Sequence, residues 1–460
     1  MERINGQAPG FKDLARQVLA WITCAKRPLT TLELRHALAI EFGETHLDED
    51  NLTQTEDLIA ACAGLVTIDQ ESDVIRLVHY TTQEYFERTQ HLWFPDAEVD
   101  ITLACVTYLS FDAFEDGLCR GQYEFQRRLR MFPLYDYTAR YWGEHARQSS
   151  LDCSCPEILH FLTSCLRVEA ASQPLLLSSR GFFRFIEGIS GLHLAVMVGL
   201  PDFVRFLLGL GNDPRLRDGY ERTPLHWAAE YGHQGVVELL LATDGVDPND
   251  RDVAGFTPLL AAAARGQDGA VLQLLATGIV DVEETEKQGK TALHLAAESG
   301  HETTVVLLLS TGRANPNSRD GLGRTPLLLA SYWEYKGVVE ALLATGSVET
   351  NFQDRAGRTP LHTAIFSGKL EAVGLLLSVG GADPNLVGRG WVAPLYQAIT
   401  CGHFDVVKLL LAHELIDPNW SGFLGYTALG LAVDSGYTEI AQLIRSHPRC
   451  NGKLASRYES

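Results

Sequence analysis

The hydrophobic pattern changes character near residue 188. Before it, apolar residues fall at helical spacing in segments of unequal length; beyond it, they recur in a fixed unit of 34 residues. "RTPLHWAAEYGH" (222–233), "KTALHLAAESGH" (290–301) and "RTPLHTAIFSGK" (358–369) are versions of that unit. Its Thr stands at 223, 257, 291, 325, 359 and 427, Ala393 fills the remaining slot, and Ser190 opens an earlier copy one residue out of step. The pattern predicts eight copies at about 188–218, 219–252, 253–286, 287–320, 321–354, 355–388, 389–422 and 423–446. Each reads as turn, short helix, short helix, loop. Thr suits an N-cap and Pro the first helical position, where its missing N–H costs nothing. Gly232, Gly300 and Gly402 sit between the two helices, where a left-handed residue ends the first. Apolar second helices follow ("GVVELLLA", "TTVVLLLS", "DVVKLLLA"), then "DPN" or "NPN". No single unit buries its own apolar face, so the copies must stack. The more polar ending "EIAQLIRSHPRC" suits a capping copy.

The amino-terminal third carries no repeat. "FKDLARQVLAWITCA" (11–25) places Leu14, Val18, Leu19 and Ile22 at helical spacing. "PLTTLELRHALAIE" predicts a second helix capped by Thr30 or Thr31, and "TEDLIAACAGL" a third. "LVTID" and "VIRLVH" then alternate around "QESD", a β-hairpin signal. The hairpin is expected to close at His79. A further helix then begins at Thr81 or Thr82, with Tyr85 and Phe86 packed beneath the wing. Three helices and a hairpin make a winged-helix pattern. From about 100 to 187 the pattern is helical, and Tyr108, Phe111, Tyr135, Tyr137, Tyr141 and Trp142 read as core.

The repeat motifs T-P-L-H, A-A, G-H, V-V-x-x-L-L-L and D-P-N resemble ankyrin repeats over 188–446. "VLAWITCAKRPLTTLELRHALAIE", "EDLIAACAGLVTID", "IRLVHYTTQEYF" and "FPLYDYTARYWGEHAR" resemble the segment after the NTPase of fungal NACHT–ankyrin proteins. Those are NOD-like signalling receptors, so the resemblance implies recognition and signalling. The chain has no Walker A loop and only ten residues before Phe11, so it is expected to be the sensor part of such a receptor without its NTPase. The expected fold is mainly α: a tail (1–10), a winged-helix-like domain (11–95), a helical linker (96–187), an ankyrin-repeat α-solenoid (188–446) and a tail (447–460).

Charge narrows the function. The formal charge of −20 opposes general nucleic-acid binding. Residues 11–90 carry seven basic side chains against fourteen acidic, and the third helix opens with Glu56 and Asp57; DNA readout needs the opposite balance. Nothing approaches a membrane-spanning apolar run, and the amino terminus has no signal-peptide core. Nine scattered cysteines fit reduced thiols in the cytoplasm or nucleus.

Candidate chemistry dissolves into the pattern. Histidines 193, 226, 294 and 362 ("LH") and 233, 301 and 403 ("GH") recur once per copy and read as backbone hydrogen-bonders. The "GKT" at 289–291 has Glu284 where a phosphate loop needs Gly, so no nucleotide is expected. "DCSC" (152–155) lacks a second pair at zinc spacing. His79 with Glu84 and Tyr85 is the best catalytic constellation on offer, and the hairpin-to-helix turn separates it. The expectation is no enzyme, no cofactor and no metal.

A protein partner is expected instead, held on the concave face of the first helices and the hairpin tips. The expected contacts are Tyr231, Arg265, Arg324, Tyr332, Trp333, Arg355, Arg358, Phe366, Arg389 and Trp391. They form a basic, aromatic-lined groove centred on copies five to seven. Copy five is unusual: "LASYWEYKG" adds two adjacent aromatics and puts Glu334 where the Gly belongs. A transcription co-regulator built on the same array is the second reading.

Overall fold

A computed structural model describes residues 2–176, 186–388, 392–422 and 425–452. The chain forms two compact units, Met1–Ala228 with Glu238–Val246 and Ala229–Val237 with Asp247–Ser460.

In the first unit, helix Pro9–Cys24 buries Ala15, Val18 and Leu19. Thr30, not Thr31, caps helix Thr31–Leu38: its hydroxyl accepts from the Glu33 N–H while the Glu33 carboxylate accepts from the Thr30 N–H. This reciprocal box satisfies two otherwise orphaned donors. Helix Thr55–Ala61 completes the trio. Strands β1 (Leu29–Thr30), β2 (Val66–Asp69) and β3 (Val74–Leu77) pair antiparallel in the order β1-β3-β2, with Leu29 opposite Ile75 and Val66 opposite Leu77. Alternation turns Ile75 and Leu77 inward and Arg76 outward. The fold is a winged helix.

Helix Tyr80–Trp93 differs from expectation. It starts at Tyr80 with His79 at the cap and no side-chain cap bond, so Thr81 and Thr82 fall inside the first turn. Phe86 is 1 % exposed and Tyr85 41 %. Successive helical side chains point about 100° apart, so only one of the two faces inward.

Helices Ala97–Leu109, Gln122–Met131, Tyr135–Gln148, Pro156–Thr163 and Cys165–Leu176 continue this unit. Their core is aromatic: Tyr108, Phe111, Tyr135, Tyr137 and Trp142 are buried, and Tyr141 is half-buried.

Among the described residues, paired helices run from Gly191–Met197 with Pro201–Gly209 to Ala428–Asp434 with Thr438–Ser446, and form a helical solenoid. Thr257, Thr325, Thr359 and Thr427 each accept a hydrogen bond from the third helical N–H, whereas Ala393 has no such bond. In the second unit the Asn of "PN" acts in two directions. The Asn317 amide donates to Ser347 O at 2.8 Å, and its oxygen accepts from the Glu349 N–H at 2.8 Å. Asn351, Asn385 and Asn419 repeat this clamp on the following loop. Each loop is therefore completed by its neighbour, which is why isolated units of this kind do not fold.

Candidate functional site

The "LH" histidines are structural hubs. In Ser190–His193, Thr223–His226, Thr291–His294 and Thr359–His362 the hydroxyl lies 2.8, 2.8, 2.9 and 2.8 Å from Nδ1. Nε2 of His193, His294 and His362 lies 3.0, 2.9 and 3.1 Å from the carbonyls of Leu216, Arg324 and Val392. Nε2–H donates to a carbonyl while Nδ1 accepts from the backbone N–H of Ser190, Thr291 or Thr359, so each ring is neutral. Burial pushes the pKa of all three below the usual histidine value. The "GH" residues His301 and His403 reach back to the carbonyls of Ala264 and Phe366 in the preceding copies.

The hairpin tips hold a feature that sequence reasoning missed. Asp252, Asp320 and Asp354 are buried at 34-residue multiples, and Glu286 takes the same slot. Asp320 Oδ1 accepts from the N–H groups of Leu322 and Arg324, and Asp354 Oδ1 from those of Ala356 and Arg358. The second oxygens take the arginines: Arg324 Nε at 2.7 Å from Asp320 Oδ2, and Arg358 Nε at 3.0 Å from Asp354 Oδ2. The recurrence of an acidic residue five positions ahead of the motif's Thr was the available signal.

Cations of the expected groove are tied to carboxylates. Arg265 binds Glu230 at 2.8 Å, Lys290 binds Glu298, and Arg324 and Arg358 are held by their aspartates. The arginines are oriented parts of the surface.

The structure gathers four of the anticipated residues. Arg324, Tyr332, Trp333 and Arg358 line one shallow cavity of about 290 Å³ with Glu298, Leu328, Leu329 and Thr363. Tyr332 and Trp333 stand perpendicular, ring centroids 4.9 Å apart, and Trp333 is 52 % exposed. Phe366, on the next first helix, is exposed but does not line the cavity. Tyr231 stacks on His233, and Arg265 spans to Glu230, both away from this cavity. Arg355 is exposed on the copy-six turn. Arg389 and Trp391 lie outside the described residues.

Copy five is also where the backbone departs from the repeat. Helix Pro326–Trp333 ends on Glu334 at φ 64°, the slot that Gly266 and Gly300 fill elsewhere. A left-handed non-glycine costs about 1–2 kcal/mol. The Glu334–Lys369 pair, 3.3 Å apart and one-third exposed at both ends, offsets only about 0.5 kcal/mol of that. Tyr335 replaces the histidine of "GH", and its ring covers Gly300 so closely that a Cβ there would meet it at 2.6 Å.

No catalytic group emerges from the candidates. His79 sits ahead of an exposed helix turn. The strongest acid–base pair is elsewhere: His145 Nδ1 faces Glu98 Oε2 at 2.5 Å, and its Nε2 faces the Tyr137 hydroxyl at 2.8 Å. Lys26 closes the network through its N–H to Tyr137 and its ammonium to Glu98 at 2.9 Å. His145 and Tyr137 are fully buried while Lys26 and Glu98 keep a small exposed edge, and the network braces the fold. Burial pushes the Cys24 and Cys62 thiols up to about 12, far from a nucleophile's range. Among the described residues, no group of three or more His, Cys, Asp or Glu could hold a metal, and no helix is long and apolar enough to cross a membrane.

A stacked array of capped helix pairs, bound together by histidine and asparagine ladders and exposing an aromatic cavity, defines the class of helical-repeat interaction modules. The family model "Ankyrin repeats (3 copies)" matches residues 171–252, 192–286, 245–320, 312–388 and 389–453, which together exceed half of the chain. The protein belongs to the ankyrin-repeat family. The model "GPI inositol-deacylase, winged helix domain" matches residues 1–93. Human NF-kappa-B inhibitor alpha is 54 % identical over 41 residues, which are 9 % of this chain and 13 % of that protein. The likeness thus covers only a small part of the relative's length.

Proposed function

We propose that this chain is a non-enzymatic scaffold that holds a protein partner on the concave face of its repeats, and that it is related to the NOD-like receptors of the fungal NACHT–ankyrin type. The observation that carries the reading is the exposed aromatic surface of copies five and six, Tyr332, Trp333 and Phe366. Large aromatics and oriented arginines are the residues that dominate protein interfaces. Within this reading the chain divides at 11–95, 96–187 and 188–446. The partner face includes Tyr231, Arg265, Arg355, Arg389 and Trp391, no nucleic acid or nucleotide is bound, and the protein works in the cytoplasm or nucleus. The acidic third helix of the winged-helix domain supports partner docking over DNA contact.

A second reading is a transcription co-regulator, supported by the short likeness to a protein named as an inhibitor of NF-kappa-B. Cross-linking the full chain to partners in its native source tests the scaffold. Changing Tyr332, Trp333 and Trp391 together to Ala is expected to abolish capture; undiminished capture would sink the groove. Imaging a tagged chain separates the two readings, since a co-regulator concentrates in the nucleus. Substrate turnover lost on His79→Ala would replace both with an enzyme.

A further inference from the structure

We infer that the copy-five cavity is a recognition subsite for an extended acidic peptide segment, whose Asp or Glu carboxylate meets Arg324 and Arg358 while a neighbouring apolar side chain lies on Trp333. The inference deepens the scaffold reading and rests on it.

The two arginines are prepared for this role. Asp320 and Asp354 are buried behind them and engage Nε and Nη2 through a single oxygen each. That grip fixes the guanidinium plane and turns the Nη1 edge away from the aspartate. The other aspartate oxygen is committed to backbone N–H groups of the turn. A guanidinium held in one orientation binds a carboxylate without first losing side-chain freedom. Glu298, the remaining carboxylate in the cavity, is engaged by Lys290. Lys287 and Arg355 stand exposed on neighbouring turns of the array, on a chain of net charge −20. Charge complementarity therefore selects an acidic occupant.

The apolar half fits a side chain. Leu328, Leu329 and Thr363 are buried along the cavity, and Trp333 stands half-exposed beside them. At about 290 Å³ the space is at the low end for a small-molecule site and suits side chains of a segment laid across two copies. The perpendicular Tyr332–Trp333 pair makes no parallel slot for a nucleobase. The departures from the repeat coincide here as well: adjacent aromatics, a left-handed Glu334 and a tyrosine in place of histidine. Strain that neighbouring copies avoid with glycine is the mark of a position kept for use.

The test is a random peptide library displayed on phage and selected on the full-length chain, with enriched peptides measured by fluorescence anisotropy. Enriched sequences are expected to carry Asp or Glu within two residues of an apolar side chain. Their affinity should fall about tenfold on Trp333→Ala and on Arg358→Lys, and stay unchanged on Phe11→Ala in the first unit. Trp333 is exposed, so a melting temperature equal to wild type shows that the Ala variant still folds. Failure to enrich, enrichment without acidic residues, or indifference to both variants overturns the inference. So does a labelled oligothymidine whose binding Trp333→Ala abolishes, because the site would then read nucleic acid. Native-partner capture that survives Trp333→Ala removes this subsite and leaves the scaffold reading standing; absence of any partner removes the scaffold reading itself.

Discussion

The two units solve the burial of polar groups in opposite ways. In the first, Lys26, Glu98, Tyr137 and His145 come from distant points of the chain to one network that occurs once. In the second, small sets recur: Thr with His, Asp with Arg, and Asn with the next loop. A solitary network concentrates stability where one deletion is felt throughout. A ladder spreads it, so losing one rung weakens one interface. The ladder also frees individual positions to drift, and copy five uses that freedom.

Several substitutions sharpen this contrast. Trp142→Ala removes a fully buried indole that packs edge-on against Phe161 and should cost about 3–5 kcal/mol, seen as loss of the first unit's unfolding transition in calorimetry. Glu98→Ala strands Lys26 and His145 together and should cost about 3 kcal/mol in denaturant titration. A loss below about 1 kcal/mol would mean the network is dispensable. Asn351→Ala removes one rung and should cost about 1 kcal/mol, with hydrogen exchange rising only in the loops around 351 and 383. Exchange rising across the whole array would contradict a nearest-neighbour ladder. Smallest and opposite in sign, Glu334→Gly relieves the left-handed strain and should stabilise the second unit by about 1 kcal/mol net of the lost Lys369 pair.

Acid acts on several rungs together. Burial holds His193, His294 and His362 below the ordinary histidine pKa, so the unfolded chain takes up protons first as pH falls. Their contribution to stability is complete above about pH 6.5 and is lost as pH drops through the lower folded values. The melting temperature should therefore decline from pH 7.5 to 5.5. A flat profile would show that these rings are not held neutral by burial.

The opening helices, the hairpin and the repeat were legible because their rules are local. A cap reaches three residues, a hairpin turn spans four, and glycine between the helices answers its own φ. The start of the helix after the wing was misplaced by a residue because Thr81 and Thr82 offered two plausible caps and the chain used neither. Four residues of the candidate site were legible as residues, and their pairing was not. Arg324 and Arg358 are written in the repeat, but the burial of Asp320 and Asp354, which turns free cations into oriented ones, depends on neighbouring copies closing over the turns.

By itself the sequence determined the period, the helix pairs, the winged-helix order and the oddity of copy five, since each rests on residues within one turn or one repeat. Tertiary structure alone decided three things. His145 meets Glu98 across 47 positions. Phe86 is buried while Tyr85 is exposed. Tyr332 and Trp333 share a cavity with two arginines from successive tips. Desolvation and neutralisation depend on which surfaces meet, and that is settled only when the chain has packed.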